Sequence, residues 1–163
     1  MNSIFIDCSN GVSGDMLLAG FLDLGIPKDL IIEPINSIGL ESSYLLEVKE
    51  HSSGGLRGKK VEVIQKERPL KERRWKYIKE LINKATWKET LRSKVLSVFQ
   101  MLAEVEASVH GCEIENVHFH ELGSIDSLVD IIGVCAAIDY LNANTFICSN
   151  PPAGSGRVMT SHG

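Results

Sequence analysis

Residues 125–141 constrain the fold most, because a helix formed by them is apolar almost all round. A helix of that kind must be buried inside a folded domain. Ser124 directly precedes it and is predicted to be its N-cap. The segment nevertheless carries Asp126 and Asp130, which are four residues apart and therefore share one face. A buried carboxylate needs a cationic partner or else takes a proton, so the sequence predicts a cation site at this helix.

Two histidines lie just before this helix, at His118 and His120. If residues 117–121 are extended, both side chains leave on the same face. Imidazole nitrogens and carboxylates together suit zinc, nickel, manganese or iron. The alternative is that the His-x-His pair arises by chance and that Asp126 only complements the helix dipole. For Asp130 the alternative to a metal is an ion pair with Arg157, the only lysine or arginine after residue 94.

A further pair, Glu106 and His110, is four residues apart near the end of a long predicted helix. Their side chains can share a face and join the histidines that follow, or His110 can interact with the helix C-terminus. The predicted metal ligands are His118, His120, Asp126, Glu106 and His110.

Length and composition point to one domain spanning residues 1–163, large enough to bury a core. No uncharged apolar run reaches membrane-spanning length, and the N-terminus does not resemble a signal peptide. The four cysteines are scattered without a Cys-x-x-Cys motif, which favours a cytoplasmic protein with free thiols. Residues 66–94 hold 11 of the 17 basic residues, which raises the question of nucleic-acid binding. A nucleic-acid groove is not favoured, because aromatic residues are few and the net charge is −4.

The predicted order of elements, β-α-α-β-β-α-α-(β)-α-β, indicates an α/β or α+β fold with a mixed sheet and helices packed on it. The first strand is expected to be buried, and a hairpin is expected with a loop too long for a tight turn. The long helix should bury a stripe comprising Leu91, Val95, Val98, Leu102, Val105 and Val109. Strands are predicted at 3–7, 44–50, 59–66, 117–121 and 145–149, and helices at 15–24, 28–38, about 70–84, about 88–110 and 125–141.

Glycine-rich loops follow the first and the last predicted strands. Ligands of open sheets lie beyond the carboxyl ends of strands, and amides at a helix start can hold a phosphate. Two aspartates in the first loop would repel phosphate unless a metal mediates, and a purely structural turn is an equal alternative. The loop matches neither of the common glycine-rich nucleotide motifs, and no nucleophile-elbow pattern is present. The predicted phosphate or cofactor residues are Asp7, Gly11, Ser13, Gly14, Asp15, Gly154, Ser155 and Gly156.

Four segments, 6–16, 103–111, 117–130 and 152–156 with the closing 161–163, resemble the LarC family of nickel-insertion proteins. The resemblance implies a nickel chelatase, a lyase of the cyclometallase type. Such an enzyme inserts nickel into pyridinium-3,5-bisthiocarboxylic acid mononucleotide and hydrolyses CTP. The product is the nickel-pincer cofactor of lactate racemase and related enzymes. Metallation at carbon needs a base, for which a carboxylate or a histidine of the predicted cation site can serve, and Asp130 and Glu121 are the named candidates.

The family continues into a C-terminal domain, whereas this sequence stops at Gly163. The resemblance therefore implies that CTP, with Mn or Mg, binds mainly outside this chain. The expected partners are the mononucleotide precursor and a C-terminal LarC-type domain or second polypeptide, and a homo-oligomer is compatible with the sequence. Two other functions remain open, a non-catalytic nickel-binding chaperone module and a metal-dependent phosphohydrolase.

Overall fold

The computed structural model describes residues 3–66, 74–119, 124–143 and 145–156. Its mixture of helices and strands confirms the predicted α/β class. In chain order the elements are β1 (Ser3–Ile6), α1 (Gly14–Asp23), α2 (Lys28–Asn36), β2 (Tyr44–Ser53), β3 (Leu56–Gln65), α3 (Trp75–Lys84), α4 (Glu89–His110), a 3₁₀ turn (Ile114–Asn116), α5 (Ile125–Leu141) and β4 (Thr145–Cys148).

The described strands form two separate pairs rather than one continuous mixed sheet. β1 pairs with β4 in parallel, and β2 pairs with β3 in antiparallel fashion. Side-chain alternation along a strand specifies which face is buried, but not which strand becomes its neighbour. The pairing therefore could not be read from the sequence.

The hairpin turn is tighter than predicted. β2 extends to Ser53 and β3 starts at Leu56, so the turn consists of Gly54 and Gly55 alone. Their φ angles are +57° and +82°, the left-handed conformation that two-residue hairpin turns require. The expected long loop was wrong because the strands continue through residues that the alternation pattern did not include.

Helix α5 lies at the centre of the core, as predicted. Eight of its residues are buried, including Leu128, Val129 and Ile132. Gly133 allows α1 and α2 to approach closely, because a Cβ there would lie 2.9 Å from Leu18 and 2.8 Å from Ile31. The N-cap prediction is confirmed, since the Ser124 side chain accepts a hydrogen bond from the backbone N–H of Ser127.

Helix α4 buries a different stripe from the predicted one. Leu91 and Val95 are buried as expected, but the stripe continues through Phe99, Ala103 and Ala107. Val98, Val105 and Val109 are exposed, Val105 by 63%. The neighbouring stripe is preferred because its alanines permit close packing and Phe99 packs against Phe119, with ring centroids 6.3 Å apart. Gly111 ends the helix in the left-handed conformation, as expected.

Two strand predictions need correction. The β1 strand is not buried, because its residues alternate between exposed and half-buried. In the described part of the predicted strand 117–121, the pairing is a single antiparallel bridge between His118 and Arg74. Residues 120–121, and the predicted helix start at 70, lie outside the described residues.

Candidate functional site

The two glycine-rich loops start side by side, because β1 and β4 are parallel and end at the same edge. Ser149, the first residue after β4, joins them. Its backbone N–H donates to the Ile6 carbonyl at 3.0 Å, and its Oγ accepts from the Cys8 N–H at 2.6 Å. The same hydroxyl donates to Asp7 Oδ1 at 3.2 Å. Sequence reasoning missed Ser149 because it placed this residue inside the last predicted strand, 145–149, whereas β4 ends at Cys148.

Asp7 is held within the first loop. Its Oδ1 accepts from the Ser9 N–H at 3.0 Å as well as from Ser149. The hydrogen bonds from Ser9 and then from Ser149 lower the pKa of Asp7, so this carboxylate is ionised at neutral pH. Asp7 therefore stabilises the geometry of the two loop starts.

The first loop turns at Gly11 and ends at Ser13, the residue before α1. Gly11 has a φ of +87°, and its N–H donates to the Cys8 carbonyl at 2.9 Å. Ser13 is extended, and its hydroxyl donates to the carboxylate of Asp15 instead of capping the helix. Asp15 Oδ1 also accepts from the Met16 N–H at 2.9 Å. Asp15 is thereby fixed in the first turn of α1.

A close contact brings this helix start onto α5. A Cβ built on Gly14 would lie only 2.5 Å from the Cβ, Cγ and Oδ2 atoms of Asp130. Any other residue at Gly14 would have to displace the Asp130 side chain. The glycine thus allows the α1 N-terminus to contact a carboxylate that is far away in the sequence.

Asp15 and Asp126 act electrostatically on Asp130, and these three side chains are called here the carboxylate cluster. Burial, and then the charges of Asp126 and Asp15, raises the pKa of Asp130 to about 7. Burial and the charge of Asp15 also raise the pKa of Asp126. Asp130 Oδ1 is buried and has no hydrogen-bond partner among the described residues. A proton or a cation at the cluster would relieve both the repulsion and the unpaired oxygen.

Asp130 faces a small cavity of about 270 Å³. Its walls include Leu17 of α1, Val98 of α4, and Ile131 and Val134 of α5. Asp130 is the charged residue among these apolar neighbours. The arrangement resembles sites in which a carboxyl group with a raised pKa binds a cation or transfers a proton.

The structure does not place His118 with Asp130 in one cavity. His118 is exposed and lines a separate cavity of about 690 Å³, together with Arg74, Lys76 and Tyr77. His120 and Glu121 lie outside the described residues, so the joint site of histidines and carboxylates stays a prediction.

The remaining predicted site residues are distributed over α4 and the second loop. Glu106 and His110 form the predicted pair, with Oε1 and Nε2 3.8 Å apart, and line neither of the two cavities. Gly154, Ser155 and Gly156 are exposed after β4. Within the described ranges, no group of three or more His, Cys, Asp or Glu side chains is arranged to hold a metal ion.

The fold and the site together define an α/β domain in which a carboxylate cluster and two paired loop starts adjoin a central buried helix. A family model described as nickel insertion protein matches residues 4–163, almost the entire chain. The chain belongs to the nickel insertion protein family.

Three relatives illustrate the similarity. The pyridinium-3,5-bisthiocarboxylic acid mononucleotide nickel insertion protein of Clostridium kluyveri is 36% identical, and the match covers 100% of this chain and 44% of the relative. The protein of the same name from Clostridium acetobutylicum is 33% identical, with 100% and 46% covered. A putative nickel insertion protein of a Synechococcus species is 38% identical, with 100% and 41% covered. The chain thus spans less than half the length of these curated relatives.

No solved structure matches the chain significantly. In the described part of the chain, no helix combines the length and apolar character needed to cross a membrane.

Proposed function

We propose that this chain is the N-terminal part of an enzyme that inserts nickel into pyridinium-3,5-bisthiocarboxylic acid mononucleotide. Two relatives carry that substrate in their names. Following the LarC resemblance, the proposed reaction is CTP-dependent, serves lactate racemase-type enzymes and takes place in the cytoplasm. The observation that carries the proposal is the unpaired, buried Oδ1 of Asp130 beside two further carboxylates.

Asp130 is proposed as the base. Forming a carbon–nickel bond removes a proton from the pyridinium ring, and a group with a pKa of about 7 can accept that proton near neutral pH. Asp15 and Asp126 contribute in two ways. Their charges attract the incoming nickel ion, and they raise the proton affinity of Asp130. Glu121 remains the alternative base.

Selectivity for nickel requires more than carboxylates. Oxygen ligands alone favour Mg or Mn, whereas imidazole ligands favour nickel and other transition metals. We therefore keep His118 and His120 as proposed ligands that carry nickel to or from the carboxylate cluster. Glu106 and His110 are the second candidate pair.

The mononucleotide phosphate is assigned to the two loops. Gly11, Ser13 and Gly14 lead into the start of α1, where backbone amides and the helix dipole favour an anion. The loop that contains residues 154–156 starts after β4, at the same end of the strand pair as the first loop. The negative Asp15 in this turn favours a phosphate bound through a cation. CTP, with Mn or Mg, is assigned to the part of the relatives that this chain does not span.

The test is nickel binding by the Asp130→Asn variant, measured by isothermal titration calorimetry. Asp139 provides a matched control on the same helix, because its carboxylate is paired with Lys94 at 2.6 Å. We expect Asp130→Asn to weaken nickel binding at least tenfold and Asp139→Asn to leave it nearly unchanged. Equal affinities for both variants and the unchanged chain would contradict the assignment.

A second assay separates the three candidate functions. The chain is supplied with the mononucleotide precursor, nickel, CTP and the C-terminal part of the Clostridium kluyveri relative, and the nickel-containing product is measured by mass spectrometry. Product formation supports the enzyme. Nickel binding without product supports the chaperone module, and hydrolysis of phosphoesters with metal alone supports a phosphohydrolase.

A further inference from the structure

The β1–β4 pair, called here the ribbon, exposes large apolar side chains. Phe5 is 65% exposed, Ile147 51% and Phe146 39%. Phe5 and Ile147 are register partners in the two parallel strands, so their side chains lie next to each other on one face. Two large apolar side chains that are exposed to water side by side indicate an interaction surface.

The ribbon is also incomplete as a sheet. In the described part of the chain neither strand pairs with a third, so both outer edges have unpaired backbone groups. The two strands contact each other, and neither makes a comparably extensive contact with a helix or with the β2–β3 hairpin. Parallel sheets are normally covered on both faces, and an isolated two-stranded pair is marginally stable in water. Polypeptide other than the described residues is therefore needed to complete it.

The course of the chain indicates which polypeptide this is. β4 is the last regular element described and ends at Cys148, so only residues 149–163 lie between the ribbon and any polypeptide that continues in the longer relatives. In the relatives, more than half of the length lies outside the region that this chain matches. A segment tethered beside the ribbon has a high effective concentration there, which favours it over a separate partner.

We propose that the ribbon is the docking surface for the polypeptide that follows residue 163 in the longer family members. That polypeptide adds a strand to an outer edge of the ribbon and covers Phe5 and Ile147. The inference rests on the proposed position of this chain as an N-terminal part, but not on its nickel chemistry. Both loops of the candidate site start from the ribbon, so docking also fixes those loop starts.

The test compares the chain alone with a chimera in which it replaces the matched N-terminal region of the Clostridium kluyveri relative. Hydrogen–deuterium exchange of residues 3–6 and 145–148 is the readout. We expect exchange in the ribbon to slow at least tenfold in the chimera, while exchange in the middle of α4 stays the same. Unchanged exchange in the ribbon overturns the proposal.

Variants of the chimera locate the contact. Phe5→Asp is expected to restore fast exchange in the ribbon, whereas Leu56→Asp, at a hairpin position that is 79% exposed, leaves the protection intact. Circular dichroism verifies that each variant is folded. Equal effects of the two variants count against a specific contact.

Two further measurements separate the proposed contact from dimerisation and from the nickel site. If sedimentation shows that the chain alone forms a dimer that Phe5→Asp dissociates, a second copy covers the ribbon and the proposal is overturned. Asp130→Asn in the chimera is expected to lose nickel affinity and keep the ribbon protected. Failure of the nickel assignment is thereby distinguished from failure of the docking assignment.

Discussion

Replacing Asp130 by Asn should stabilise the metal-free protein at alkaline pH. The folded state raises the pKa of Asp130 from 3.8 to about 7, because the carboxyl group is partly buried and faces the charges of Asp126 and Asp15. The ionised form of Asp130 therefore opposes folding. Asn has nearly the same shape without the charge, so it removes this opposition.

The magnitude follows from the two pKa values. A rise from 3.8 to about 7 corresponds to at most about 4 kcal/mol, since each tenfold change in proton affinity is worth about 1.4 kcal/mol. Asp130 is only partly buried, and solvent screening reduces the expected gain to about 2 kcal/mol. For a chain of this size that gain raises Tm by roughly 4–8 °C.

The pH dependence has a definite sign. Between pH 3.8 and about 7 the folded state binds more protons at Asp130 than the unfolded state does, so the stability of the unchanged protein falls as pH rises through this window. The gain in the free energy of unfolding from Asp130→Asn should be largest above pH 7, shrink as pH falls, and vanish near pH 4. Urea unfolding at a series of pH values measures it directly.

Adding a divalent cation should make the unchanged protein more stable than the Asp130→Asn variant. Nickel is proposed to bind at the carboxylate cluster, where it would stabilise the unchanged protein by mass action and stabilise the Asn variant less. The control Asp139→Asn should lose stability at pH 8, because it breaks the ion pair with Lys94. If Asp130→Asn is less stable than the unchanged protein at pH 8, Asp130 has a stabilising partner such as Arg157, and the reasoning is refuted.

Three other tests, two of them with a control substitution, address the packing. Gly14→Ala should lower the free energy of unfolding by about 1–3 kcal/mol, because its Cβ would overlap with Asp130. Gly20→Ala on the same helix has open space around it and should raise the free energy of unfolding by up to about 1 kcal/mol. Similar values for the two variants in thermal unfolding would contradict the close contact. Ser124→Ala removes the N-cap hydrogen bond of α5 and should lower the free energy of unfolding by about 1 kcal/mol in urea titrations. Phe99→Ala should lower the free energy of unfolding by about 3–5 kcal/mol, and Val105→Ser by less than about 0.5 kcal/mol. The reverse order in calorimetry would show that α4 buries the stripe predicted from the sequence.

The sequence determined the features that depend on neighbouring residues. The apolar segment 125–141 specified a buried helix, Ser124 its start, and Gly111 the end of α4. The positions of the hairpin and of the two glycine-rich loops were also visible, because turns require particular residues at particular places. The four motifs of the LarC resemblance were enough to indicate the family that the comparisons then showed.

Only the tertiary structure decided how distant segments meet. Helix α4 carries two neighbouring apolar stripes, and which of them is buried depends on the partner that Phe99 finds at Phe119. The contact of Gly14 with Asp130, which assembles the carboxylate cluster, joins residues more than a hundred positions apart. Hydrophobic periodicity describes the face of one element, whereas pairing between elements depends on the packing of the complete chain. The sequence therefore identified Asp130 as a residue needing a partner and Asp126 as its neighbour on the same helix face, and the fold added Asp15.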